Sequence, residues 1–244
     1  MIFEAGTSQA IKPMVFQTKV EEVIQRTYDT KSFRFKRPPE FEYLAGQWAY
    51  FSIKIKGTQK LHHFTISSSP TEGYLEFTKK ITDSEFSQAL NKFKGGEWTL
   101  INGPFGELTY SGENIKIGAL TGGIGITPLR SICRYCVDKG LPTSIVMLYA
   151  NHTEKDIVFR DELDRIQKKD PHIVVKDVLT REPGWPGLKG HVDGEMIRAQ
   201  IPDHQERVFY ICGPPSMNEA MKKALKSLNV PDSRIKLEDF TGYK

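Results

Sequence analysis

The residues of this chain that could do chemistry gather in a few short stretches. In "ALTGGIGITP", 119–128, Gly122, Gly123 and Gly125 stand between an apolar run and a helix-like pattern. Glycines at such a corner permit positive φ and let a ligand approach the backbone. Thr127 is expected to cap the following helix, with Pro128 at its first position, leaving free N–H groups as a seat for a pyrophosphate. The lysine and hydroxyl of a triphosphate loop are missing, and Pro128 stands where the last glycine of G-x-G-x-x-G belongs. Taken alone, the stretch could equally be a tight turn that binds nothing. "YICGPPSM", 210–217, is a second corner: a strand ending at Cys212, a turn through Gly213, Pro214 and Pro215, and a helix entered at Ser216 and Met217. Ligands of open α/β sheets collect at the carboxyl ends of strands, so the two corners could face one crevice. Cys212 would lie beside that ligand, or serve only as a small core hydrophobe.

"LHHFTISSSP", 61–70, offers two histidines, an aromatic ring and several hydroxyls. Adjacent strand histidines point to opposite faces, and no carboxylate or cysteine stands at ligand spacing, so no metal site is expected. No G-x-S-x-G elbow exists for a serine hydrolase. An aromatic ring, a hydroxyl and a cationic group on successive strand positions better suit a flat ring system with a phosphate tail. Cys133 and Cys136 form a C-x-x-C inside a helix, past its first turn, with no second ligand pair for zinc. They are expected to be structural.

Two kinds of element must position these stretches. From Met14 to about Tyr110, short alternating runs such as "KSFRFKR", "QWAYFSIKI" and "YLEFTKKI" follow one another, interrupted by one helical patch, "SEFSQALNKF". That rhythm predicts an antiparallel β-barrel. After Asn114 strands and helices alternate, which predicts a doubly wound α/β domain on a parallel sheet. The expected division is 1–113 and 114–244, so the glycine loop opens the first crossover of the second domain. A chain of 244 residues has volume for two such domains. No apolar run is long enough for a transmembrane helix, and the first residues lack a signal-peptide pattern. A net charge of +4, without a dense basic arm, argues against nucleic acid. Three cysteines form no disulfide framework, so the cytoplasm is the expected compartment.

In the order of its motifs, nearly the whole chain resembles the ferredoxin–NADP reductase superfamily, flavoproteins with an FAD barrel followed by a nicotinamide-nucleotide domain. The family's Arg-x-Tyr-Ser/Thr flavin motif reads His62-His63-Phe64-Thr65 here. The resemblance implies that Phe64 packs on the flavin, that Thr65 hydrogen-bonds near its N5, and that Ser67 belongs to the same site. His62 replaces an arginine that meets the pyrophosphate; a neutral imidazole is a poorer anion partner, so Lys79 or Lys80 is expected to assist. Ser87 resembles the family's phosphate-side hydroxyl. "GGIGITP" and "CGPPSM" resemble the two nicotinamide corners, and "IKLEDF" the terminal strand that brings Glu238 and Phe240 to the reacting rings. Thr180 and Arg181, with Lys189, could meet a 2′-phosphate, which tips the expected donor toward NADPH over NADH. Thr65, Cys212 and Glu238 are the expected catalytic group. The implied activity is hydride transfer from NAD(P)H to FAD and onward electron transfer to a separate protein of ferredoxin or flavodoxin type, because three cysteines cannot hold a [2Fe–2S] cluster here. A free-flavin or small-molecule reductase, a subunit of a larger electron-transfer complex, and a non-catalytic flavin-binding subunit are the alternatives.

Overall fold

The computed structural model describes residues 11–239. The first half contains strands β1 (Met14–Lys19), β2 (Glu22–Thr27), β3 (Thr30–Lys36), β4 (Trp48–Ile55), β5 (Thr58–Thr65), β6 (Tyr74–Lys80) and β7 (Trp98–Phe105), with helix α1 (Glu85–Asn91) between the last two. They form two antiparallel sheets, ordered β1-β7-β4-β5 and β2-β3-β6, joined through a bridge between Ile66 and Phe77. Period-2 alternation sends Phe33 and Phe35 of β3, Phe51 of β4 and Phe77 of β6 into one core. Phe35 meets Phe51 and Phe77 edge-on at centroid distances of 5.5 and 5.9 Å.

The second half runs β8 (Lys116–Gly122), α2 (Ile126–Lys139), β9 (Ser144–Asn151), α3 (Arg160–Lys169), β10 (Ile173–Leu179), β11 (Leu188–Lys189), α4 (Gly194–Gln200), β12 (Val208–Gly213), α5 (Pro215–Ser227) and β13 (Ile235–Asp239). The sheet order is β11-β10-β9-β8-β12-β13, with every pair parallel. From β8 the chain first winds outward through β9 and β10, then returns to place β12 on the other side. The order therefore reverses between β8 and β12, where open α/β sheets leave a crevice.

One expected detail is corrected. A short 3₁₀ turn over Gly123–Gly125 starts the helical winding before Thr127, and α2 itself begins at Ile126. Thr127 and Pro128 therefore lie inside the first turn, and the Thr127 hydroxyl donates to the Ile124 carbonyl (3.1 Å) instead of capping. No side chain caps this helix end.

The halves are joined by a seam of charges. Arg26 of β2 donates to Glu76 of β6 (2.7 Å) and to Glu162 of α3 (2.6 Å). Arg130 of α2 donates to Glu162 (2.7 Å), to Glu72 (3.0 Å) and to the Ser67 carbonyl (3.1 Å). Phe159, at a left-handed φ of 62°, places its ring against both guanidinium groups, 4.8 Å from that of Arg26 and 5.7 Å from that of Arg130. Burial raises the Glu72 and Glu162 carboxyls, but contact with the arginines outweighs it, so both are held below the usual carboxylate range.

Candidate cofactor and nucleotide site

A cleft of about 650 Å³ opens at the carboxyl ends of β8, β9 and β12. Gly122, Gly123, Gly125, Gly213, Pro214 and Met217 line it, so the two glycine corners share one crevice. Two of these glycines are required by geometry. Gly123 has φ 52°, and a Cβ on Gly125 would lie 2.2 Å from the Cys212 carbonyl oxygen. The α5 end also lacks a side-chain cap, with Pro215 as its first residue. Asn151, at the end of β9, lines the cleft and is only 5% exposed; its amide makes no well-formed hydrogen bond among the described residues.

The barrel half closes the cleft from the other side. Asp29, Thr30 and Lys80 line it, the Lys80 ammonium pairs with Asp29 (2.9 Å), and the Tyr28 hydroxyl donates to Asp156 (2.7 Å). Thr180 also lines the cleft, but its hydroxyl is engaged with the Asn151 carbonyl (3.3 Å) and the His152 ring (3.0 Å). Arg181 is solvent-exposed and outside the cleft lining, and the Lys189 ammonium donates to the Pro183 carbonyl (2.7 Å).

Thr65, Cys212 and Glu238 are linked through the strand registers. Cys212 of β12 is paired with Thr121 of β8 on one side and with Glu238 of β13 on the other. Partners on neighbouring strands share a face, so the thiol and the carboxyl are lateral neighbours. Cys212 is fully buried, and its carbonyl accepts from the Thr121 hydroxyl (2.8 Å). Glu238 reaches Trp48 of β4, and Trp48 stands opposite Thr65 in the β4–β5 register. The Trp48 ring lies 5.0 Å from that of Phe105 and 5.2 Å from that of His63. In this aromatic setting the Thr65 Oγ1 and Glu238 Oε2 are buried without hydrogen-bond partners among the described residues. Burial pushes the Glu238 carboxyl up to about 7, against a lowering contact with Trp48.

The remaining expected residues divide. Phe64 is buried, and Phe86 of α1 lies 5.9 Å from its ring and 4.3 Å from that of His62. Desolvation, then the charge of Lys79, holds the His62 imidazole below its ordinary pKa. Lys79 is 8% exposed with its ammonium 5.9 Å from the Phe64 centroid, and burial lowers its pKa to about 8. Lys80, one residue on, lines the nucleotide cleft and not the Phe64 side, because consecutive strand residues point to opposite faces. Two expected hydroxyls are turned elsewhere. Ser67 donates to Glu76 (3.0 Å) in the seam, and Ser87 is fully buried, its Oγ accepting from the Thr82 hydroxyl (3.1 Å). Phe240 lies outside the described residues. Cys133 and Cys136 lie on the core-facing side of α2, and burial pushes both thiols up, Cys136 to about 12.

Trp48, Asn151, Asp29 and Asp156 were not anticipated from sequence. Only Asn151 carries a local signal, as the end of a third strand opening on the same crevice.

Residues 17–110 match the family described as the oxidoreductase FAD-binding domain, and residues 120–223 the oxidoreductase NAD-binding domain. An NADH-cytochrome b5 reductase 1 of Ajellomyces capsulatus is 32% identical over 98% of this chain and 83% of its own length. The glycine betaine monooxygenase reductase subunit of Chromohalobacter salexigens is 31% identical over 89% of this chain, which spans only 62% of that subunit. A ferredoxin NADP+ reductase from Neisseria gonorrhoeae, 19% identical, shares the fold at a TM-score of 0.80, over 92% of this chain and 98% of its own. The two-domain fold and the paired cofactor corners define an FAD- and nicotinamide-dependent oxidoreductase. The chain belongs to the ferredoxin–NADP reductase-like family. Among the described residues no helix is long and apolar enough to cross a membrane.

Proposed function

We propose that this protein is a reductase that takes electrons from NADH and delivers them to a separate redox protein. The carrying observation is that Thr65 Oγ1 and Glu238 Oε2, on either side of Trp48, are both buried without hydrogen-bond partners among the described residues. Buried polar atoms are ordinarily paired, so two such orphans are suited to a bound ring with its own donors and acceptors. FAD bound there supplies the hydride-accepting and electron-donating chemistry, which the protein residues do not themselves carry. Thr65 offers a hydroxyl to the ring edge. Cys212 forms a small, tightly packed floor for the nicotinamide. Glu238, when ionised, favours the positive charge that develops on the nicotinamide as hydride leaves. The uncapped α2 and α5 ends hold the pyrophosphate of the nucleotide.

NADH is favoured over NADPH because Arg181, the cation expected to meet a 2′-phosphate, stands outside the cleft lining, and Lys80 within it is paired with Asp29. The names of the b5 reductase relatives point the same way. The acceptor we propose is a small haem or iron–sulfur protein, in keeping with relatives named for cytochrome b5 and for a monooxygenase. The domain division we propose is 113/114. Purified protein is expected to be yellow, to bleach anaerobically with NADH faster than with NADPH, and to reduce a cytochrome b5 or a ferredoxin in an acceptor panel. Colourless protein that takes up no flavin would end this reading. Turnover with free flavin but with no protein in the panel would replace the acceptor.

A further inference from the structure

The phosphate side of the flavin site departs from the pattern that the family resemblance implies at three places. Strand β5 presents His62 where an arginine is expected, and desolvation, then the charge of the neighbouring Lys79, holds this imidazole below its ordinary pKa. The N-terminus of α1 is already used: the Ser84 hydroxyl accepts from the Ser87 N–H (3.2 Å). Its first turn carries Glu85, an anion where a phosphate would be disfavoured, paired with Lys56 (3.1 Å). Ser87 itself is turned inward to Thr82.

A cation does reach this place from a different strand. Lys79 of β6, only 8% exposed, lies beside Phe64, close enough for its charge to depress the His62 imidazole. Its neighbour Lys80 serves the other cavity, bound to Asp29. We propose that Lys79 has taken over the arginine's task and binds the phosphate of the flavin nucleotide from β6, with His62 reduced to a packing partner of Phe86. The inference rests on the flavin reading above. Burial, which lowers the lysine to about 8, also makes a bound phosphate more valuable to it, since a dianion nearby favours the charged amine.

The test is direct titration of apoprotein with FAD and with riboflavin, followed by quenching of flavin fluorescence. Lys79→Met and Lys79→Gln are each expected to weaken FAD by about 10- to 100-fold, the loss of one charge-assisted contact. Riboflavin, which has no phosphate, is expected to bind them as it binds the wild type. Adding His62→Arg to Lys79→Met is expected to restore most of the FAD affinity, because it returns the guanidinium to β5. Equal weakening of FAD and riboflavin, or no weakening of FAD, would overturn the proposal. So would failure of both neutral variants to fold while Lys79→Arg folds, since the charge would then be structural. Wild-type protein that binds neither flavin would instead refute the flavin reading itself, a result distinct from all of these.

Discussion

The seam between the two halves is finished in opposite ways at its two ends. At one end Arg26, Arg130, Glu72, Glu76 and Glu162 are mutually paired, with Phe159 against both guanidinium groups. At the other end Thr65 and Glu238 bury polar atoms that nothing among the described residues satisfies. Each end combines buried groups with part-buried ones, Arg130 and Glu76 with Arg26 and Glu162 at the first and Thr65 with Glu238 at the second, so exposure does not explain the contrast. The first end fixes how the halves sit. The second leaves two polar atoms unsatisfied among the described residues, which is the ground for the proposed flavin site.

Breaking the paired end should have the largest effect. The Arg130 side chain is only 3% exposed and serves two carboxylates and a backbone carbonyl. Arg130→Met leaves Glu72 and Glu162 facing each other without their main cation, and is expected to cost about 3–5 kcal/mol, the range for removing one partner of a buried pair. The shift of the urea midpoint measures it. Both carboxyls are held below their usual range in the fold, so they stabilise it above the unfolded pKa and lose that contribution as pH falls. The variant should therefore lose stability at neutral pH and show a weaker acid dependence. A midpoint within experimental error of the wild type would mean that the seam is not fixed by these charges.

Changing the open end should spare the fold and strike the chemistry. Glu238 is raised to about 7 by burial. Below that pH it is a neutral acid; above it, a carboxylate beside the proposed nicotinamide site. Flavin reduction in stopped flow is therefore expected to accelerate as pH rises through about 7. Stability should run the other way: the unfolded chain ionises near the ordinary carboxylate value, so the fold weakens as pH climbs from there toward 7. Glu238→Gln is expected to flatten both profiles and to slow reduction at pH 8 by roughly 10- to 100-fold, about 1.4–2.7 kcal/mol of barrier. An unchanged rate with an unchanged pH profile would remove Glu238 from the reaction.

The same contrast explains what the sequence could disclose. The glycine corners were readable because backbone geometry demands them: at Gly125 any side chain would strike the Cys212 carbonyl. The two-domain fold was readable because the period of apolar residues changes from 2 to 3.6 near Asn114. Lys79 and Lys80 could not both belong to one cavity, and strand alternation was the signal that separates them. The seam was not readable. Arg26, Glu76, Arg130 and Glu162 come from β2, β6, α2 and α3 and acquire partners only when those elements meet. Trp48 likewise reads as one more core aromatic until β13 brings Glu238 against it. Thr127 was misplaced because the 3₁₀ turn adds three residues of winding that no residue type marks.

The smallest expected effect sharpens the comparison at the far wall of the cleft, where an exposed charge stands near a site otherwise built of buried groups. Arg181 follows Thr180 off the end of β10, and its backbone N–H donates to the His152 carbonyl (2.8 Å), which orders the loop without directing the guanidinium inward. Its side chain is exposed, makes no ion pair within the described residues, and any contact with a nucleotide would be screened by water and salt. Exposed pairs of this kind are worth about 0–1 kcal/mol. Arg181→Ala is therefore expected to leave kcat/KM for NADH within about twofold of the wild type, and to lower it for NADPH by no more than about fivefold. The reason is its place: the guanidinium stands in water outside the cleft lining, where one exposed charge adds little to the binding of a phosphate. Steady-state kinetics with both nucleotides, at two salt concentrations, decides the matter. Wild-type preference for NADPH, lost by tenfold or more in the variant and only at low salt, would show that the arginine folds over the cleft when the nucleotide binds, and would make this wall part of the built site.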